Sequence, residues 1–118
     1  MTAYTVQQIG VAGTTPTYTA AAASDTVPNA PRGERLFIHA KNSNASTATI
    51  TINPVAPSTV KVAGAGVLSL PPIVVVVPAT TGDIFMGPFP KSIYNDSQGD
   101  LTFTASEVTG LTVAALEI

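Results

Sequence analysis

The sequence has no cysteine and no tryptophan, a single histidine and few charges. Without cysteine, the chain cannot form disulfide bonds, thiolate zinc sites or a cysteine nucleophile. Charged residues make up only 10% of the 118 residues, with five Lys and Arg against seven Asp and Glu. Domains that bind nucleic acid carry a basic face. The composition therefore argues against nucleic acid as a partner.

Long apolar runs and targeting segments are also missing. The longest apolar run, at residues 73–77, is far shorter than the roughly 20 residues that span a bilayer. The first nine residues lack the basic start and apolar stretch of a secretory signal. We therefore expect a chain without a membrane partner, made without a leader.

What the sequence does contain is typical of β-strands. It has 17 Thr, 13 Val and 8 Ile, whose branched side chains favour the pleated strand, and 10 Pro and 9 Gly that punctuate it at short intervals. Residues 35–41 and 48–52 alternate apolar and polar positions, which predicts two half-buried antiparallel strands joined by a turn at 42–46. The positions predicted to face inward are Leu36, Ile38, Ala40, Ala48, Ile50 and Ile52.

Further candidate strands lie at residues 4–9, 17–22, 58–62, 67–70, 73–77, 84–86, 92–94, 101–104 and 112–116. About eight to nine short strands separated by turns predict an all-β, antiparallel β-sandwich that is jelly-roll-like. The valine run at 73–77 is predicted to be a central strand, buried on both faces. Residues 1–16 are predicted to be an extended N-terminal arm or edge strand, and residues 17–118 a single sandwich domain.

Catalytic and metal-binding patterns are sparse. His39 has no nucleophile among its sequence neighbours and is predicted to face away from Leu36, near solvent, in a structural role. Asp96 and Asp100 share the polar turn at 95–100 and are weak candidates for a metal site, but the same residue types favour a tight turn. We therefore predict no enzyme, no metal and no cofactor.

Two apolar segments are candidates for contact with other subunits. The first clusters Phe85, Met86 and Phe89 around two prolines and a glycine, which suggests either core closure at one end of the sandwich or an interface. The second is the N-terminal segment, whose alternation suits addition of a strand to a partner's sheet. We expect removal of residues 1–9 to leave the domain folded. The candidate interface residues are Tyr4, Val6, Ile9, Phe85, Met86 and Phe89.

Three segments together resemble a known family. They are RLFIHAKNSNASTATITI at residues 35–52, VVVVPATTGDIFMGPF at 74–89 and YNDSQGDLTFTASEVTGLTVAAL at 94–116. In this order they resemble small virion proteins of tailed bacteriophages that act as capsid decoration, or head cement, proteins. The resemblance runs from about residue 25 to residue 116 and rests on turns and strands, with no catalytic signature.

The resemblance implies a structural role. Decoration proteins are β-rich, often trimeric, and clamp neighbouring capsomers on the outside of the expanded shell. The implied partners are the major capsid protein and further copies of the chain, and the implied location is the virion's capsid exterior after synthesis in the host cytoplasm. The alternative is a tail- or fibre-associated β-sandwich module that binds a host-surface glycan. A glycan binder should display an exposed aromatic platform, and a cement protein a flat apolar base or an arm.

Overall fold

The computed structural model describes residues 2–28, 35–55, 59–64, 66–69, 71–89, 91–96 and 98–118. Within them the chain is all-β apart from one helical turn, α1 (Lys91–Tyr94). The strands are β1 (Thr2–Ala3), β2 (Val6–Gln8), β3 (Thr19–Ala20), β4 (Ser24–Pro28), β5 (Leu36–Asn42), β6 (Ala48–Ile52), β7 (Thr59–Val62), β8 (Gly66–Ser69), β9 (Ile73–Val77), β10 (Gly82–Met86), β11 (Asp100–Ala105) and β12 (Leu111–Glu117).

The strand pairing is that of a jelly roll. β7 pairs with β8, β6 with β9, β5 with β10 and β4 with β11, all antiparallel, so the four pairs are nested like one long hairpin folded over on itself. β11 also pairs with β6, which brings the outer and inner pairs into one sheet. This confirms the predicted all-β, antiparallel, jelly-roll-like sandwich.

Three of the nested pairs, together with β12 and the N-terminal strands, form two packed sheets, while β7 and β8 form a separate two-stranded sheet. The first sheet has the order β1-β4-β11-β6-β9; the second has the order β10-β5-β12-β2, with β3 also paired to β12. Alternation along each strand sends one set of side chains into the space between the sheets. The predicted inward positions of β5 and β6 are all fully buried there, and Val27, Val77, Leu101, Phe103 and Val113 join them in the core.

The valine run is an edge strand, and its predicted central position is wrong. β9 ends the first sheet and, among the described residues, pairs only with β6. Its inward side chains pack against the core, whereas Val74 and Val76 are 57% and 53% exposed. A continuous apolar run has no period, so it could not reveal that one face of the strand lies in solvent.

The N-terminal segment is part of both sheets. β1 pairs in parallel with β4, and β2 pairs in parallel with β12, so residues 2–8 supply an edge strand to each sheet. Tyr4, between these strands, is buried in the core, and its hydroxyl donates a hydrogen bond to Oδ2 of the buried Asp25 at 3.2 Å. Of the two alternatives for this segment, the described residues adopt the edge strand.

The buried phenol and carboxylate explain why this segment is held. The Asp25 Oδ2 atom also accepts the backbone N–H of Ala22 at 3.0 Å. Burial, reinforced by the charge of Asp25 and the hydrogen bond to it, raises the pKa of the Tyr4 hydroxyl above its usual range. Tyr4 therefore stays protonated and remains a donor. The expectation that residues 1–9 can be removed without loss of the fold conflicts with this burial.

Two local predictions also differ from the structure. Residues 92–94 were expected to form a strand but belong to the helical turn α1. β4 was not among the predicted strands, because Asp25 interrupts its apolar pattern. In the core that carboxylate accepts hydrogen bonds from the Tyr4 hydroxyl and from the backbone N–H of Ala22. In the part of the chain that the structure describes, no helix is long and apolar enough to cross a membrane.

Candidate interaction surfaces

The outward side of the first sheet is a run of mostly small, uncharged side chains, called here the threonine–valine face, with Asp100 and Pro28 paired at one end of it. Its members alternate with core residues along β4, β6, β9 and β11. Register places Thr51 opposite both Thr104 and Val74, so the rows continue from strand to strand. The face consists of Ser24, Thr26, Thr49, Thr51, Val74, Val76, Thr102 and Thr104.

This face ends in an open, apolar sheet edge. β9 carries no charged residue, and Val74 and Val76 are the exposed apolar members of the face. An edge strand offers backbone N–H and C=O groups to another strand, and a flat apolar edge is a site of association. Prolines at positions 71, 72 and 78 bracket the strand, so pairing there is limited to its five residues.

The outward side of the second sheet, called here the aromatic face, has a different chemistry. It is formed by β5, β10 and β12, and is overlaid by residues from the N-terminal segment. Its members include aromatic rings, the histidine, one cation and one carboxylate. They are Tyr18, Phe37, His39, Lys41, Asp83, Phe85, Thr112, Ala114 and Leu116.

His39 is the centre of the aromatic face. Its Nδ1 is hydrogen-bonded to the Tyr18 hydroxyl at 2.5 Å, and its Nε2 is hydrogen-bonded to Oδ1 of Asp83. With a proton on Nε2, the Tyr18 hydroxyl can donate to Nδ1 and both contacts are satisfied. Although His39 faces outward as predicted, it is only 6% exposed. The prediction that it lies near solvent is wrong, because Tyr18, distant in sequence, covers it.

Tyr18 reaches His39 because of a small residue in the neighbouring strand. Tyr18 directly precedes β3, whose Thr19 pairs with Val113 of β12. The next residue of β12, Ala114, stands opposite His39 and has no side chain beyond Cβ. The Tyr18 ring meets the imidazole edge-on at 5.3 Å, and the Lys41 Nζ atom lies 4.3 Å from the centre of that ring. These contacts hold the stretch of chain around Tyr18 on the sheet.

Phe85 is an exposed ring with a fixed orientation. It is the cross-strand neighbour of His39 and stacks on the imidazole at 3.9 Å with an angle of 13° between the planes. The Phe37 ring also contacts the Phe85 ring, with 5.9 Å between the ring centres. Phe85 nevertheless remains 62% exposed. A groove of about 390 Å³ lies beside it, lined by Phe37, Phe85, His39, Tyr18, Pro16 and Ile9 among others.

The six candidate interface residues fall into two groups. Tyr4, Met86 and Phe89 are buried in the core, so in the single chain they close the sandwich and are not available to a partner. Of the two alternatives for Phe89, core closure and an interface, the single chain therefore adopts core closure. Val6 is half-buried in β2, Ile9 is partly exposed beside the groove, and Phe85 is exposed on the aromatic face. These three remain accessible candidates.

Asp96 organises its own turn. Its Oδ1 accepts the backbone N–H groups of Gln98 and Asp100, both at 2.9 Å. This is the arrangement expected when an aspartate side chain caps a tight turn. Among the described residues, no group of three or more His, Asp or Glu side chains is placed to hold a metal ion.

Sequence reasoning missed most of the surface chemistry. Asp83, Tyr18 and Phe37 were not singled out, nor were the exposed valines of β9. One signal was partly present: the predicted strand at 84–86 contains Phe85, and extending that strand back to Asp83, as the structure does, places both side chains on the same side of the sheet. The contact between Tyr18 and His39 spans 21 residues and left no local signal.

Comparison with known proteins adds no assignment. The chain matches no protein-family model, no curated protein and no solved structure. Its function must therefore be argued from the two faces themselves.

Proposed function

We propose that this chain is a structural virion protein that decorates the outside of a tailed-phage capsid. It stabilises the expanded shell by clamping neighbouring capsomers, with the major capsid protein and other copies of the chain as partners. The observation that carries the proposal is the threonine–valine face with its open edge at β9. The resemblance of residues 35–52, 74–89 and 94–116 to decoration proteins supports it.

The threonine–valine face suits close contact with a large, repetitive surface. Away from Asp100 at one end of β11, its side chains are small and uncharged, so burying them does not strip water from an ion. Val74 and Val76 supply apolar area, and the free edge of β9 can pair with a strand of a neighbour. A cement protein is expected to present either a flat apolar base or an arm. Because residues 2–8 are paired within the fold and do not extend as an arm, the threonine–valine face is the better candidate for the attachment surface.

The mechanism is binding alone. A protein that binds one state of a shell and not another stabilises the bound state in proportion to its occupancy and affinity. If the site is assembled only when capsomers reach their expanded positions, binding shifts the shell towards expansion. The jelly-roll fold occurs in viral capsid and lectin domains, so it fits this role without assigning it.

Co-sedimentation with undecorated heads tests the proposal. We expect saturable binding to expanded heads and none to unexpanded precursors. Val76→Lys should weaken binding at least about tenfold, because a charge would be buried at the contact. Val11→Lys is the matched control, since Val11 is fully exposed in the loop between β2 and β3. Equal binding to both shell states, binding to neither, or full binding by the Val76→Lys variant would contradict the proposal.

A further inference from the structure

We propose that the aromatic face carries a binding site for a neutral hexopyranoside. The sugar ring stacks on the open side of Phe85, and Asp83 accepts hydrogen bonds from its hydroxyl groups. This activity is separate from capsid attachment, because it uses the opposite sheet of the sandwich. It follows from three features of the site: a pre-oriented ring, a carboxylate oxygen to which no described residue donates, and a balance of charge.

The Phe85 ring is held in place without a ligand. One of its faces stacks on His39, and His39 is itself fixed through both ring nitrogens by Tyr18 and Asp83. The imidazole is buried and the phenyl group is exposed, so the support is rigid while the platform is accessible. A binding group that is already ordered loses little conformational entropy on binding. The negative face of the ring attracts the C–H groups on one side of a pyranose.

Asp83 lies at the right place to bind the hydroxyl groups of such a sugar. It is two residues from Phe85 in β10, so both side chains leave the same face, roughly 7 Å apart along the strand. Its Oδ1 is engaged by His39, whereas no described residue donates a hydrogen bond to Oδ2. The side chain is 57% exposed. A carboxylate accepts strong hydrogen bonds from hydroxyl groups.

The charges around the site favour a neutral ligand. Lys41 is the cross-strand neighbour of Asp83, so a cationic ligand would meet a like charge beside the carboxylate. An anionic ligand would meet Asp83 itself. The flanking surface is rich in hydroxyl groups: a second depression of about 420 Å³ beside Asp83 is lined by Lys41, Ser43, Thr80, Thr81 and Thr112 among others. The two depressions give a short oligosaccharide room on either side of the stacked ring.

NMR titration of the isotope-labelled full-length chain tests the site directly. The probes are methyl β-galactopyranoside, methyl β-glucopyranoside and N-acetylglucosamine, with sialic acid and choline as charged comparisons. We expect at least one neutral sugar to cause saturable shifts of backbone amides in β10 and at His39. Absence of such shifts with all three neutral sugars, or stronger binding of a charged probe at these residues, would overturn the proposal.

Substitutions separate the site from a general effect on the fold. Phe85→Ala should weaken sugar binding about tenfold, and Phe85→Trp should retain it. Asp83→Asn keeps an acceptor for His39 but loses the charge, and should also weaken binding. Val74→Ala, at a similar exposure on the opposite face, is the control and should bind as the unmodified chain does. Unchanged binding by the Phe85→Ala variant would refute the site. Loss of sugar binding leaves capsid sedimentation unchanged, so the two proposals fail separately.

Discussion

The two outward faces of this sandwich are built on the same pleated scaffold but differ in chemistry. The threonine–valine face presents small uncharged side chains in register across four strands. The aromatic face presents rings, a cation and a carboxylate, tied together around His39. The first has the repetitive character of a surface that meets another surface. The second has the convergent groups of a site that meets a small ligand.

The two faces also differ in how far each is covered by other parts of the chain. The aromatic face is partly covered by residues that precede β3, among them Ile9, Pro16 and Tyr18. The threonine–valine face carries no such cover among the described residues and ends in the open edge of β9. In a jelly roll the core determines only the inward half of every strand. The outward half is free to differ between sheets, and the proposals above depend on it.

The largest expected effect concerns the segment that belongs to both sheets. Removal of residues 1–9 should lower the free energy of unfolding by at least about 3–5 kcal/mol, because it deletes the buried Tyr4 and the edge strands β1 and β2. It also leaves the buried Asp25 without its phenol partner. Chemical denaturation measures the change. A truncated chain as stable as the full one would show that the segment is a separable arm after all.

Two phenylalanines of the same stretch test the division between core and surface. Phe89 is 1% exposed, so Phe89→Ala should cost about 3–5 kcal/mol of unfolding free energy. Phe85→Ala should cost about 1 kcal/mol or less, since that ring is mostly in solvent. Urea unfolding of both variants provides the comparison. Similar losses for the two would remove the basis for treating Phe85 as a surface platform.

Alkaline pH should weaken the fold through Tyr4. Because its pKa is raised in the folded chain, the folded state keeps the proton after the unfolded chain has lost it. This contribution is complete below about pH 10, and above it stability should fall by up to about 1.4 kcal/mol per pH unit. Unfolding free energies measured from about pH 9 to 11 test the slope. Tyr4→Phe should lose about 1 kcal/mol at neutral pH and show a flatter alkaline profile; equal slopes would contradict this account.

The smallest expected effects distinguish the two faces. Tyr18→Phe removes the hydroxyl that donates to His39 and should cost about 1 kcal/mol, with faster amide exchange in residues 14–20. Thr49→Val on the opposite face should change stability by about 0.5 kcal/mol or less. Hydrogen exchange of the two variants reports both. A larger loss for the threonine variant would mean that the threonine–valine face is held by contacts within the sheet.

The sequence predicted the inward half of the fold better than the outward half. Leu36, Ile38 and Ala40 alternate with polar residues, so the strand and its buried side could be read directly. The valine run carries no alternation, and its place at an edge depends on pairing with β6. His39 was assigned the correct face but the wrong exposure, because its cover comes from Tyr18. Contacts between distant segments leave no local pattern, and both candidate faces depend on them.

Hydrogen–deuterium exchange of the chain bound to expanded heads tests the central claim most directly. Among the described residues, the outer edge of β9 pairs with no other strand, so its outward backbone amides are available to a partner. If the threonine–valine face is the attachment surface, binding should slow exchange in residues 73–77 and leave residues 83–86 of β10 unchanged. Slower exchange in β10 with no change in β9 would contradict the account and assign attachment to the aromatic face instead.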